Sequence, residues 1–281
     1  MLMKKIIVPV DFSKLSDNAT NYAVELALNC KAELTLVHVF YVPVMTSDAF
    51  VMLPTAHEIE KESLEKLKKM KTDIQKDNSS LNVHYYCTQG IPVNEIDLCA
   101  TQKEADLIVI GAQGAGYLEE RIFGSTATLL IRTTKIPVLV ISKDVKFTKP
   151  EKIALAIDYA EIYNHSSMKA LGQLAAIFNS DVSVLNVISG SEVTANAEIQ
   201  NSLQLAHALK HIRHTYYRTQ HPEIIAGINA FVKQHDIQLL TMIARRHSML
   251  SRIFHEPQTK AMAFHTEVPL LVLHDKKQEE R

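Results

Sequence analysis

Cysteine is scarce in this chain, and the three present, Cys30, Cys87 and Cys99, are odd in number and confined to the first half. That excludes a disulfide-stapled secreted fold; they read as buried thiols rather than a redox set. The sequons at Asn18 and Asn164 then carry no glycosylation meaning. Neither sign of charge prevails: the net charge is −1, so no basic footprint points to nucleic acid or to an anionic membrane. Long apolar runs are missing as well. The opening MLMKKIIVPVDF reaches Asp11 too early for a signal-peptide core, and no later stretch approaches the roughly 18 apolar residues of a membrane span. A cytoplasmic protein with no membrane or nucleic-acid partner is therefore expected.

What is present is a repeat. At 281 residues and 47% hydrophobic content the chain is long enough for two domains. KKIIVPVDF (Lys4 to Phe12) matches EKIALAIDY (Glu151 to Tyr159), and ELTLVHVF (Glu33 to Phe40) matches DVSVLNVI (Asp181 to Ile188) at an offset that agrees within one residue. TKIPVLVIS (Thr134 to Ser142) matches TEVPLLVLH (Thr266 to His274), with Pro137 over Pro269. Ordered self-similarity of this kind means one fold used twice. Between the first two strands of each half, Ala19, Tyr22, Ala23, Leu26, Ala27 and Cys30, and then Leu171, Leu174, Ala175 and Phe178, have the spacing of a buried helix face. The first half continues with a charged helix near Glu58 to Gln75, a strand near Val83 to Cys87, a helix near Val93 to Lys103, a strand Leu107 to Ile110, a helix opening near Ser125 and a strand Val138 to Ile141. Alternating helices and near-continuous apolar strands predict an α/β fold with a mainly parallel sheet covered on both faces. The polar junction Ser142 to Lys152 reads as the linker.

Glycine is the other scarce residue, and four of the eight fall between Gly111 and Gly124. A P-loop needs a lysine and a hydroxyl after its last glycine, but Tyr117 follows Gly116; the dinucleotide fingerprint needs a further glycine where Glu119 stands. What remains is Gly111, Gly114, Gly124 and Ser125, after a strand and before a helix. Glycines let a backbone approach an anion, and open amides at a helix start point toward it. Ser125 can cap that helix or bind the same anion. An ordinary glycine-rich loop is the alternative, and a helix cap is the alternative for Asp11.

The pattern G-x2-G-x9-G-S formed by Gly111, Gly114, Gly124 and Ser125, with Val8-Pro9-Val10-Asp11, His38-Val39, Asp106 to Ile110 and Ile136 to Val140, closely resembles the nucleotide-binding branch of the universal stress protein family. The likeness covers residues 1–145 and, more weakly, 150–281, as two domains of a tandem protein. It implies two five-stranded parallel-sheet sandwiches of Rossmann-like, adenine nucleotide alpha hydrolase-like type. They would be paired as a pseudo-dimer through Val138 to Ile141 and Leu270 to Leu273, with two such chains able to associate further. It implies ATP or a related adenine nucleotide as ligand, with Mg²⁺ as a candidate companion, in a stress-response sensor or regulator. Pro9, Val10, Asp11 and Val39 would hold the adenosine part, and Ile110, Gly111, Gly114, Gly124, Ser125 and Thr126 the ribose and phosphates.

The second half lacks that loop. RIF at Arg121 recurs at Arg252, but Gly124-Ser125-Thr126 becomes His255-Glu256-Pro257, and Gly111 falls on Ile243 or Ala244. Asp158 stands where Asp11 does. The second domain is therefore expected not to bind nucleotide in this manner, and its Arg245, Arg246, His247 and Arg252 read as a solvated surface. His207 and His211 on a predicted helix, with His214 beyond, invite zinc, but no fixed third ligand supports it. Catalysis of phosphoryl transfer would need a metal-holding carboxylate and a group that orients water. Glu119, Glu120 and Arg121 match no such pattern, which leaves slow ATP hydrolysis or a pure interaction module as the competing readings.

Overall fold

The computed structural model describes residues 3–42, 54–112, 124–158, 166–189, 203–244 and 267–274. Gly114, Glu119, Glu120, the two RIF segments and the basic residues from Arg245 to Arg252 lie outside them.

The first half alternates β1 (Lys5–Pro9), α1 (Lys14–Cys30), β2 (Glu33–Phe40), α2 (Ala56–Asp77), β3 (Val83–Gln89), α3 (Pro92–Gln102), β4 (Leu107–Gly111), α4 (Ser125–Thr133) and β5 (Val138–Ile141). The second repeats the scheme with β6 (Lys152–Ile157), α5 (Lys169–Phe178), β7 (Asp181–Ile188), α6 (residues 203–209), β8 (His214–Gln220), α7 (Ile224–Gln234), β9 (Leu239–Ala244) and β10 (Leu270–His274). Helix starts follow local chemistry. Ser13 caps α1 by accepting from the Ser16 amide, and Thr55 and Glu58 close a reciprocal capping box on α2. The charged α2 buries only Ser63 and Leu67 and so lies over β3 at the edge. Helix ends repeat too. Lys31 (φ 54°) and Asn179 (φ 52°) turn left-handed after α1 and α5, and Glu104 and Asp236 (both φ 52°) do so after α3 and α7.

The strands form one continuous ten-stranded sheet, ordered β3-β2-β1-β4-β5-β10-β9-β6-β7-β8. Each block of five is internally parallel, and the blocks meet at an antiparallel seam, Leu270↔Val140, Leu271↔Leu139 and Val272↔Val138. The two closing strands thus pair as the family resemblance implies. The expectation of two separate sandwiches gives way to two similar units in a single sheet, for a physical reason. Two apolar layers, one on each face, run across the seam, the first from Ile6 and Leu36 to Leu155 and Val184, the second from Ile108 and Val140 to Val272 and Ala156. The junction is also less free than its polarity predicts. Asn18 donates to the Ser142 and Val145 carbonyls, 3.0 Å each. Phe147 packs edge-on to Tyr22 at 5.1 Å and near Phe178 at 6.2 Å, joining α1 to α5.

The outer edges carry a repeat that apolar patterning does not reveal: Tyr85-Tyr86-Cys87-Thr88-Gln89 on β3 and Tyr216-Tyr217-Arg218-Thr219-Gln220 on β8. Leu36 faces Tyr85 and Val184 faces Tyr216, so both occupy the same place in their unit. One expectation fails here. The run holding His207 and His211 stops being helical at residue 209, and His214 opens β8, so the three cannot share a helix face.

Two helix-interior glycines give opposite predictions. A Cβ on Gly227 of α7 would lie 2.7 Å from Val187 Cγ1 and 2.8 Å from His221 Cβ, whereas one on Gly172 of α5 meets Ile212 Cδ1 at 3.4 Å. Gly172→Ala should gain ~0.5–1 kcal/mol from helix propensity. Gly227→Ala should lose about 1–3 kcal/mol to overpacking. Urea midpoints for both variants check the pair, and a stabilised Gly227→Ala would contradict the close packing of α7 on β7.

Candidate functional site

The chain order reverses between β1 and β4, which are hydrogen-bonded neighbours (Ile6↔Leu107, Ile7↔Ile108) flanked by β2 and β5. In open α/β sheets such a reversal leaves a crevice at the carboxyl ends of the strands. Pro9, Val10 and Asp11 close one side of it, and Ile110 and Gly111 the other.

On the first side the backbone is tightly held. The Val10 amide donates to the Val37 carbonyl (2.8 Å), and His38 Nδ1 donates to the Val10 carbonyl (2.8 Å), which sets the tautomer. Asp11 is half-buried and is not the helix cap: Ser13 is, while Asp11 Oδ1 accepts from the Ser13 amide at 3.0 Å. Val39 is half-buried beyond His38. Phe12, left-handed at φ 61°, sets its ring 4.4 Å from that of His38, and Lys66 of α2 brings its Nζ to 5.3 Å from the Phe12 ring. Sequence reading misses this Phe12, His38 and Lys66 grouping, because Lys66 is one of many lysines on a charged helix.

On the second side Gly111 is buried, and the following Ala112 donates to the Ile141 carbonyl (2.8 Å). The Gly124 amide returns to the Ala112 carbonyl at 2.6 Å, so the ends of the glycine-rich stretch meet. Gly124 is the N-cap of α4. That helix has no side-chain cap and no acidic residue in its first turn, whereas α1 and α2 have both. The amides of Ser125, Thr126 and Ala127 precede the first intrahelical donor, the Thr128 amide, which bonds to the Gly124 carbonyl at 3.0 Å, and point out of the helix toward its start. Ser125 is exposed and Thr126 half-buried. An anion placed there would meet amides that have no acceptor among the described residues, and the positive end of the helix dipole. The described candidates lie at the carboxyl ends of β1, β2 and β4 or at the start of α4, and Gly114 falls outside the described residues.

The second unit keeps the frame with different chemistry. Asn186 Nδ2 donates to the Ile157 carbonyl (3.2 Å), in the place of the His38 bond to Val10. Ile243 pairs with Leu273 as Gly111 pairs with Ile141. The strand register therefore puts Ile243, not Ala244, where the first unit has Gly111, and a buried isoleucine fills that position. Among the described residues no group of three or more His, Cys, Asp or Glu is placed to hold a metal ion, and no helix is long and apolar enough to cross a membrane. Burial pushes the Cys30 thiol up to about 12 and raises Cys99; Cys87, raised as well, is only half-buried on β3.

Burial holds His38 below its ordinary 6.5, against the opposing bond to Val10 and the charge of Asp11. His274, at the end of β10, is lowered by burial likewise, against its bond to the Ile131 carbonyl and the charge of Asp97. The unfolded chain takes up these protons first, so their contribution is whole above the ordinary value and drains away as pH falls below it. Denaturation midpoints should drop between about pH 7 and pH 5, less steeply in His38→Asn, which borrows the second unit's solution. A midpoint that rises on acidification would contradict the neutral, buried imidazoles.

The family model described as the universal stress protein family matches residues 3–142. A universal stress protein of Methanocaldococcus jannaschii is 34% identical over 152 residues, 52% of this chain and 85% of that protein. One from Bacillus subtilis is 30% identical over 149 residues, 50% of this chain and 99% of its own length. Over the whole chain, the crystal structure of a universal stress protein from Archaeoglobus fulgidus superposes with a TM-score of 0.72 at 15% identity, covering 99% of this chain and 98% of that one, a likeness of fold.

Proposed function

The chain belongs to the universal stress protein family, and from that premise we propose that it binds ATP or a related adenine nucleotide in the crevice between β1 and β4. The observation that supports this reading is a coincidence of sequence and place. The G-x2-G-x9-G-S spacing ends on Gly124, at a helix start with no side-chain cap, and begins on Gly111, across the strand reversal from Asp11. The phosphates lie against the amides of Ser125, Thr126 and Ala127, where side chains would obstruct them. A carboxylate repels phosphate, so Asp11 faces the ribose or the adenine amino group, from which it accepts hydrogen bonds.

In this reading the protein is a nucleotide-responsive regulator of the stress response in the cytoplasm, not an efficient hydrolase. Residues 1–145 form the binding domain. Residues 150–281 form a non-binding counterpart, the two arranged as a pseudo-dimer about the β5–β10 seam. Calorimetric titration of nucleotide-stripped protein with ATP, with and without Mg²⁺, tests it. One site per chain, weakened in Asp11→Ala, is the expected result; no heat from the folded wild type would move the function to the protein's surfaces.

A further inference from the structure

A helix leaves its last four carbonyls without intrahelical partners, and at the end of α4 one of them is met from the other unit. The Leu129 carbonyl accepts the Thr133 hydroxyl (2.8 Å), and the Leu130 carbonyl accepts the Thr134 amide (3.0 Å). Thr134 then turns extended (φ −71°, ψ 157°), which carries the next amide away from the Ile131 carbonyl. His274 Nε2 takes its place at 2.8 Å, from a residue 143 positions away. His274 is held there by its own strand. It pairs with Ala244 of β9, and the β5–β10 register, continued past Val272↔Val138, sets it beside Ile136. The turn it reaches is braced in turn, since Thr134 Oγ1 donates to Asp97 Oδ1 of α3 (2.5 Å) and accepts from the Ile136 amide (3.2 Å).

The repeat makes this contact informative. The place of His274 in the second unit is that of Ser142 in the first, and the Ser142 carbonyl instead receives Asn18. A long donor therefore stands at only one of two equivalent strand ends, the one that reaches α4. The other end of α4 is Gly124, tied through Ala112 to the Ile141 carbonyl of β5. Nine residues of helix, about 13 Å long, move as a stiff rod, so fixing the carboxyl end restricts the amino end.

We propose that His274 is a positioning residue, through which the second unit clamps the helix that presents Gly124, Ser125 and Thr126 and so sets the first unit's affinity for nucleotide. The affinity part rests on the nucleotide reading above; the clamp does not.

Two full-length variants separate the donor from the ring. His274→Phe keeps the ring volume and loses the hydrogen bond, while His274→Gln keeps an amide donor at similar reach. In nucleotide-free protein, native-state hydrogen exchange over α4 should accelerate about tenfold in His274→Phe, the worth of one lost hydrogen bond, with α1 unchanged and His274→Gln close to wild type. ATP affinity should weaken several-fold in His274→Phe, about 3- to 10-fold, and recover in His274→Gln. Unchanged exchange in α4, or equal behaviour of the two variants, overturns the clamp. A loosened α4 with undiminished ATP affinity overturns its positioning role. A wild type that takes no ATP removes the nucleotide reading alone, and the exchange profile still decides the clamp.

Discussion

Gly124→Val is expected to weaken ATP binding about a hundredfold, close to 2.8 kcal/mol, while leaving the protein folded. The expectation rests on backbone geometry. Gly124 has φ −63° and ψ 158°, an extended conformation that a β-branched residue adopts readily. Backbone strain does not follow from the substitution, so a loss of binding by a folded variant reports on access to the helix start. The position is the N-cap of α4, and its amide already closes the loop onto the Ala112 carbonyl. A valine there sets two methyl groups beside the amides of Ser125 and Thr126. Titration calorimetry with a parallel thermal melt reads both sides of the prediction. A folded variant with wild-type affinity would show that phosphate does not sit at the start of α4.

The second large effect concerns the seam. Leu271 is fully buried, faces Leu139 in the antiparallel register and lies beside Thr241 of β9. Leu271→Asp places a carboxylate in an apolar layer with no cation near it on those strands, and should cost at least ~4 kcal/mol. That is a large part of the total stability of roughly 5–15 kcal/mol usual for a folded domain. Because both apolar layers cross the seam, the loss should appear as one earlier unfolding transition, not as release of two intact halves. Leu271→Met, nearly equal in volume, should cost under about 1.5 kcal/mol. Denaturant unfolding followed by circular dichroism and by tyrosine fluorescence tests both. Two separated transitions in the Asp variant would mean that each unit holds itself together.

The buried frame is legible in the sequence because buried parallel strands are written as apolar runs, and Val138 to Ile141 and Leu270 to Leu273 are such runs. The glycine spacing and Asp11 are legible for a related reason: they fix backbone and chemistry locally. What escapes is either exposed or distant. The Tyr-Tyr-x-Thr-Gln repeat sits on edge strands, where burial imposes no pattern. The start of α2 is spelled out by Thr55 and Glu58 at capping-box spacing, a cue that the apolar period alone does not carry. His214 follows helical spacing but belongs to a strand, because pairing with Val182 outweighs local propensity. The reach of His274 to α4 depends on a strand pairing between the units, which one residue's neighbours in sequence cannot announce.

The antiparallel seam also gives the molecule two unlike rims. The strands of the first block end on one rim, with Asp11 and Gly111; those of the second end on the opposite rim, with Asp158 and Ala244. Whatever occupies the first crevice faces away from the second, so no single small ligand bridges the two. A change of grip at the first rim has to reach the second through the sheet between them.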